Sequence, residues 1–369
     1  MKSAIEALLT GTGVTFNGPN PSDIRVLDDR LYARVLAQGS LGFGEAYMDG
    51  WWECDAIDEM IAKLLRANVA SNLRPSISLL ASTMKARLWN MQNKQGALKV
   101  GRAHYDIGND LYRAMLGKRL TYTCGYWKTA QTLDKAQEAK LDLVCKKIGL
   151  QPGQHVLDIG CGWGSFAKFA AEKYGARVTG ITISKEQLAL GKELCAGLPV
   201  ELRFQDYRDV TGQFDHIVSL GMFEHVGYKN YATYFAHVKR LLKPGGLFLL
   251  HTIGGIRSVL RTDPWIEKYI FPNSILPSVQ QITAAAERQQ FVMEDWHNFS
   301  ADYDKTLMAW YANVEAHWND LKGQYNGRFH RMWTYYLLSC AGSFRARQNQ
   351  LWQIVFSPTG VQGGYTSVR

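Results

Sequence analysis

Val156-Leu157-Asp158-Ile159-Gly160-Cys161-Gly162-Trp163-Gly164 is the stretch on which the fold of this 369-residue chain turns. An apolar run ends in Asp-x-Gly-x-Gly-x-Gly, and Phe166, Phe169, Ala170 and Tyr174 then recur at helical spacing. The pattern reads as a strand, a tight turn and a helix. Glycines let the backbone reverse sharply and approach a ligand closely at the carboxyl end of a sheet strand. A bare glycine fingerprint is a weak sign and would suggest a nicotinamide dinucleotide, but that reading needs an acid after the next strand. Thr182 stands there instead, with Gln187 one turn later.

Outward from this point the chain alternates strands and helices. Strands are expected at His155–Ile159, Arg177–Ile181, Phe214–Leu220, Leu247–His251 and Trp352–Ser357. The clearest helix runs from Asn230 to about Leu242, where Tyr231, Tyr234, Phe235, Val238, Leu241 and Leu242 share one face. Such alternation predicts an α/β fold with a mostly parallel sheet. Residues 254–300 interrupt it with Pro264, Pro272 and Pro277, which suggests an inserted lid over the pocket. The last dozen residues, rich in Gly, Ser and Thr, read as a frayed tail.

The amino-terminal part has a different character. Residues 1–90 read as a small, mainly helical domain, 91–103 as a linker and 104–369 as the catalytic domain. Asp55 is the expected N-cap of a helix carrying Ile57 to Leu65, and the glycines and aromatics of 39–52 suggest a turn between helices. Lys and Arg total 42 against 33 Asp and Glu, and the distribution says more than the sum. Between Met60 and Tyr105 there is no acid, yet eight bases occur: Lys63, Arg66, Arg74, Lys85, Arg87, Lys94, Lys99 and Arg102. Apolar residues interleave with them, a pattern that suits an anionic membrane surface. Nucleic acid and a plainly solvated basic face are the competing readings, of which nucleic acid is set aside.

Composition narrows the class. Hydrophobic residues at 46% and charged residues at 20% exclude wholesale disorder. The six cysteines are scattered, no CxxC pair occurs, and the histidines lack HExxH spacing, so no metal site is expected. Apolar runs fall far short of the ~20 residues of a membrane span. A cytoplasmic protein that touches a membrane surface is the expectation.

The glycine motif, with its acid before the first glycine, resembles motif I of class I S-adenosylmethionine (SAM) methyltransferases. Gly180-Ile181-Thr182-Ile183-Ser184 ends the second strand, and Gln205-Asp206-Tyr207-Arg208-Asp209 lies where such enzymes carry an acid for the adenine amine. The resemblance implies a Rossmann-like sheet and a cofactor held by Tyr122, Thr123, Asp158, Gly160, Cys161, Gly162, Gly164, Thr182, Gln187 and Asp206. A hydroxyl and an amide would serve the ribose, where most such enzymes use an acid.

More specifically, the chain resembles the cyclopropane-fatty-acyl-phospholipid synthases. The residues that carry this are GSLGFGEAYMDGWWECD at 39–55, HYDIGNDLY at 104–112, YTCGYW at 122–127, GMFEHVG at 221–227, LLHTIGG at 249–255, ADYDKTLMAWY at 301–311 and YYLLSCAGSFRAR at 335–347. The resemblance implies methyl transfer from SAM onto a cis double bond of a phospholipid acyl chain in an anionic membrane. An alkene is a poor nucleophile, and its methylation leaves a carbocation. Water must be excluded, and aromatic faces stabilise the cation by ~2 kcal/mol or more when desolvated. Trp127, Tyr269, Phe271, Tyr303 and Trp310 are candidates.

The family's base is a bound bicarbonate ion. Its ligands fall here on Cys124, Glu224, His251, the backbone amide of Ile253, and Tyr303. A hydroxyl, an imidazole and an amide donate to the anion, and a carboxylate accepts its O–H. Each residue also has a plain structural reading: a helix cap for Glu224, core packing for His251 and Cys124, a lid aromatic for Tyr303. Cys340 is the cysteine to suspect if a thiol were required, with helix packing preferred. The rival functions are a small-molecule N- or O-methyltransferase and a non-enzymatic lipid- or nucleic-acid-binding protein. Self-association into a homodimer is compatible with the reading.

Overall fold

The computed structural model describes residues 1–69 and 108–369. The expected linker at 91–103, the domain boundary at residue 90 and six of the eight bases, Arg74 to Arg102, lie outside the described residues.

The chain forms two compact units. The larger one holds the sheet that the glycine motif predicts. Strands β3 (His155–Ile159), β4 (Arg177–Thr182), β5 (Val200–Phe204), β6 (Phe214–Leu220), β7 (Leu242–Gly255), β8 (Val292–Asn298) and β9 (Asn349–Ser357) are ordered β5-β4-β3-β6-β7-β9-β8. The pairs β5/β4, β4/β3, β3/β6 and β6/β7 are parallel, whereas β8 and β9 are antiparallel. Strand side chains alternate between faces. Leu157, Ile159, Ile217, Phe248, Leu250, Ile354 and Phe356 thus join one core, against helices Tyr231–Leu241 and Val279–Arg288. Val156, Val178, Val218, Leu249 and Val355 join the other, against helices Leu133–Lys147 and Ser165–Tyr174. Coverage on both faces explains why these strands read as continuous apolar runs.

Two strands, β5 and β8, were not among the expected five. Residues 273–300, expected within the lid, instead belong to the sheet unit itself, where they form a helix and an edge strand. Nor is the carboxyl terminus frayed. Ser367 Oγ and the Arg369 guanidinium both bond Asp295, and Tyr365 Oη donates to the Lys147 carbonyl at 2.8 Å.

The second unit comprises residues 1–69 together with Leu260–Pro272 and Tyr303–Asn349. It is mainly helical, with a two-stranded ribbon of β1 (Arg25–Val26) and β2 (Trp52–Glu53). The expected turn at 39–52 is largely a helix, Ser40–Met48. Its glycines serve packing: a Cβ on Gly44 would lie 2.5 Å from the Trp265 ring. Gly342 likewise lets helix Gly327–Arg345 approach the Asp58 carbonyl of helix Ile57–Arg66. Asp55 does not cap that helix. Ala56 is the cap residue, and Asp55 pairs with Arg25 at 3.1 Å. Of the two described bases of the basic stretch, Lys63 bonds Ser22 and Arg66 bonds the Arg345 carbonyl. Among the described residues no helix is long and apolar enough to cross a membrane.

Candidate active site

The carboxyl ends of β3, β4, β6 and β7 gather the residues that the sequence singles out. After β3 the chain turns through Gly160, at φ +83°, where a Cβ would strike Met222. The Gly160 and Cys161 amides both donate to the Ile181 carbonyl at 3.0 Å, which ties the turn to β4. A Cβ on Gly162 would meet no protein atom within 4 Å, so that side of the turn is open to a ligand. Gly164, also left-handed, starts the helix Ser165–Tyr174.

Asp158, on β3, is buried and its Oδ1 has no hydrogen-bond partner. Burial pushes its carboxyl well above the usual range, against the pull of Lys140. A buried carboxylate oxygen without a donor fits the cationic ammonium of SAM. At the end of β4, Thr182 Oγ1 donates to Gln187 Oε1 at 3.0 Å, leaving the Gln187 amide hydrogens as donors for a ribose. Asp206 caps its own short turn and pairs with Arg208 at 2.9 Å. Part of that carboxylate is therefore already engaged locally.

A second cluster lies after β6 and along β7. Glu224 Oε1 accepts from the Ile253 amide at 2.7 Å, and Gly221 donates to the His251 carbonyl at 2.8 Å. Glu224, His251 and Ile253 are thus brought together. The Ile253 amide, assigned by resemblance to an anion, is directed here at Glu224. Burial raises the Glu224 carboxyl to about 7, and its Oε2 has no partner. His251 is held neutral, well below the usual imidazole range, by burial and then by Lys140 and Lys147. Gln353 Nε2 lies 3.3 Å from His251 Nδ1. An amide nitrogen only donates, so Nδ1 accepts and the proton sits on Nε2, which has no partner either.

Cys124 is fully buried, with its thiol 3.1 Å from the Gly125 carbonyl. Tyr122 stacks edge-on against Tyr112. The loop that carries them is gripped by helix Leu133–Lys147: Gln137 Nε2 donates to the Thr123 carbonyl at 2.8 Å, and Lys140 Nζ to Thr123 Oγ1 at 2.7 Å. Lys140 is wholly buried, and burial drives its ammonium down despite Cys124 and Asp158. It interacts with Asp158, Cys124 and His251, and so links the two clusters.

Gln137, Lys140 and Gln353 were not foreseen. The signal was present for two of them. Leu133, Ala136, Gln137, Lys140, Leu141 and Val144 form one helical stripe, so an amide and an ammonium stand on an apolar face. Gln353 lies in a strand buried along its length and carries no such mark.

Trp127 lies in the sheet unit, where its backbone amide donates to Asp302 at 2.7 Å, and the remaining candidates belong to the helical unit. Tyr303 is buried between Phe344 and Trp310, with ring centroids at 4.5 and 6.0 Å. Tyr269 donates to Glu45, and Phe271 packs edge-on against Tyr336. Cys340 lies on helix Gly327–Arg345 of the helical unit. Burial, with Asp263 nearby, pushes its thiol up to about 12, which is unlike a nucleophile.

Fold and site define a class I SAM-dependent methyltransferase. The comparisons with known proteins then set the family. The family model for mycolic acid cyclopropane synthetase matches residues 92–354. The chain is 54% identical over 362 residues to cyclopropane-fatty-acyl-phospholipid synthase of Escherichia coli, covering 98% of this chain and 94% of that one. Among solved structures, the cyclopropane synthase MmaA2 of Mycobacterium tuberculosis superposes with a TM-score of 0.67 at 30% identity, over 70% of this chain and 97% of that one. Mycolic acid cyclopropane synthase CmaA1, in complex with SAH and CTAB, gives 0.65 at 33% identity, over 70% and 97%. The chain belongs to the cyclopropane synthase family of SAM-dependent methyltransferases.

Proposed function

We propose that this chain transfers the SAM methyl group to a cis double bond of a phospholipid acyl chain, and that bound bicarbonate removes a proton so that a cyclopropane ring closes. What carries this reading is a pair of buried, unpartnered atoms, Glu224 Oε2 and His251 Nε2, in a chain 54% identical to a phospholipid cyclopropane synthase. Bicarbonate has one O–H to give and negative oxygens to receive. One buried acceptor and one buried N–H donor match that inventory.

SAM supplies an activated methyl group, and bicarbonate a base small enough to reach the new methyl's protons. The chain does the rest. Asp158 would hold the cofactor's ammonium, Thr182 and Gln187 its ribose, and Asp206 its adenine amine, while Gly162 admits it and Tyr122 and Thr123 border it. Gln353 fixes the His251 tautomer, so that Nε2–H points to the anion. The Ile253 amide orients Glu224, whose free oxygen accepts the bicarbonate proton. Cys124 and Tyr303 are further ligands in this reading. A cysteine nucleophile has no task, because the methyl group arrives already activated. In this reading the protein works in the cytoplasm at the inner face of the membrane, the amino-terminal domain docks it on anionic lipid, and self-association into a homodimer is compatible with that docking.

The test is mass spectrometry of mono-unsaturated and saturated phospholipid vesicles after incubation with protein, SAM and bicarbonate. A gain of one methylene on the unsaturated lipid alone, with ring-specific proton signals in NMR, is the expected result. No gain on either lipid with SAM binding intact would point to a small-molecule methyltransferase.

A further inference from the structure

Strand β7 carries His251 and Ile253 and ends at Gly255. The four residues that follow, Ile256-Arg257-Ser258-Val259, are all exposed. Ile256 and Val259 present 55% and 39% of their surface to solvent, and exposed aliphatic side chains carry information when they form a patch. This loop is fastened to the start of helix Val279–Arg288. The Gly255 amide donates to the Pro277 carbonyl at 2.9 Å, and Ser258 Oγ lies 2.7 Å from Ser278 Oγ. Val279, next to Ser278, is itself 49% exposed.

Three of the exposed large aliphatic residues are therefore gathered on one patch of the sheet unit. Its charge has one sign. Neither 254–259 nor 273–286 contains an acid, while Arg257 is present. Arg257 makes no ion pair among the described residues.

We infer that Ile256, Arg257, Val259 and Val279 form a membrane-contact patch on the catalytic unit, in which the aliphatic side chains enter the acyl–headgroup boundary and Arg257 meets a lipid phosphate. Aliphatic side chains around an unpaired guanidinium suit an anionic bilayer: the apolar part gains by leaving water, and the cation by neighbouring phosphates. The patch begins three residues beyond Ile253. Contact there would put the bilayer beside the end of the strand that carries the site, in addition to any docking by the basic amino-terminal segment. This inference rests on the lipid reading above and adds a surface to it.

The experiment uses the full chain and vesicles of phosphatidylglycerol with phosphatidylcholine. Arg257→Ala should lower partitioning onto these vesicles about fivefold, the equivalent of roughly 1 kcal/mol per basic residue at an anionic surface. The double variant Ile256→Ser/Val259→Ser should lower it about tenfold or more, on neutral phosphatidylcholine vesicles as well. SAM affinity by calorimetry, and methylation of unsaturated phospholipid dispersed in detergent, should match wild type in both variants. Wild-type partitioning in both variants would overturn the inference, and so would a wild-type protein that binds no vesicle. Unchanged partitioning with altered mass in light scattering would assign the patch to self-association instead. Methylation of no lipid by wild type would defeat the functional reading separately, since partitioning is read without turnover.

Discussion

Glu224 and Lys140 show how burial alone sets the working charge of this site. Water's absence disfavours a carboxylate and an ammonium alike, so the first is raised to about 7 and the second is driven down. In the proposed reaction Glu224 accepts a proton from bicarbonate, which it does only when ionised. Turnover should therefore rise with pH through about 7, in a profile taken at fixed bicarbonate and saturating SAM. Glu224→Gln should remove that step and lower turnover about a hundredfold or more, with SAM affinity within twofold by calorimetry. The linkage has the opposite sign for stability: from the ordinary carboxylate range up to about 7 the folded chain holds a proton that the unfolded chain has lost. Stability attributable to this group thus falls as pH rises across that window. Lys140→Met should keep the fold, because an apolar side chain of similar length replaces a desolvated cation. It should weaken SAM binding by about tenfold, roughly 1.4 kcal/mol, by freeing the Thr123 loop and leaving Asp158 without its cation; wild-type affinity in that variant would deny Lys140 a positioning role.

At the scale of elements, buried ion pairs hold segments that are far apart in sequence. In the helical unit, Glu45 of helix Ser40–Met48 receives Arg34, Lys268 and Tyr269 at 2.6, 2.6 and 2.8 Å. Its carboxyl is held below the usual range by these partners, against burial. The contribution is present above the ordinary carboxylate range and is lost as pH falls below it. Glu45→Ala should cost about 2 kcal/mol in urea unfolding, as expected for hydrogen bonds to a charged group. In the sheet unit, Asp295 of β8 faces Lys147 at 3.5 Å and Arg369 at 2.6 Å, all but Arg369 being deeply buried. Asp295→Ala would strand the Lys147 ammonium, and about 3 kcal/mol of destabilisation is expected by thermal melting. Neither tie was legible in the sequence. An ion pair between residues 148 or 223 positions apart has no periodicity to announce it, and a Gly/Ser/Thr-rich tail reads as frayed until its partners are placed.

For the whole molecule, the lipid reading makes association with membranes an electrostatic and hydrophobic matter together. Raising NaCl from about 50 to 500 mM shortens the screening length from roughly 14 to 4 Å, so binding to anionic vesicles in a flotation assay should fall several-fold. Undiminished binding would mean that charge does not steer it. The sequence by itself determined the class. An acid placed before three glycines, strands at regular intervals and short motifs such as GMFEHVG are local patterns, and local patterns carry backbone geometry and ligand chemistry directly. It also named Glu224 and His251 from their motifs. Only the tertiary structure decided that Ile253 turns its amide to Glu224, that Gln353 sets the His251 proton, and that Lys140 stands between the two clusters. It also moved 273–300 from a lid into the sheet unit and grouped Leu260–Pro272 with the amino-terminal helices. Those outcomes depend on which buried polar group finds which partner across the fold, and that choice is made by packing in three dimensions, where spacing along the chain is silent.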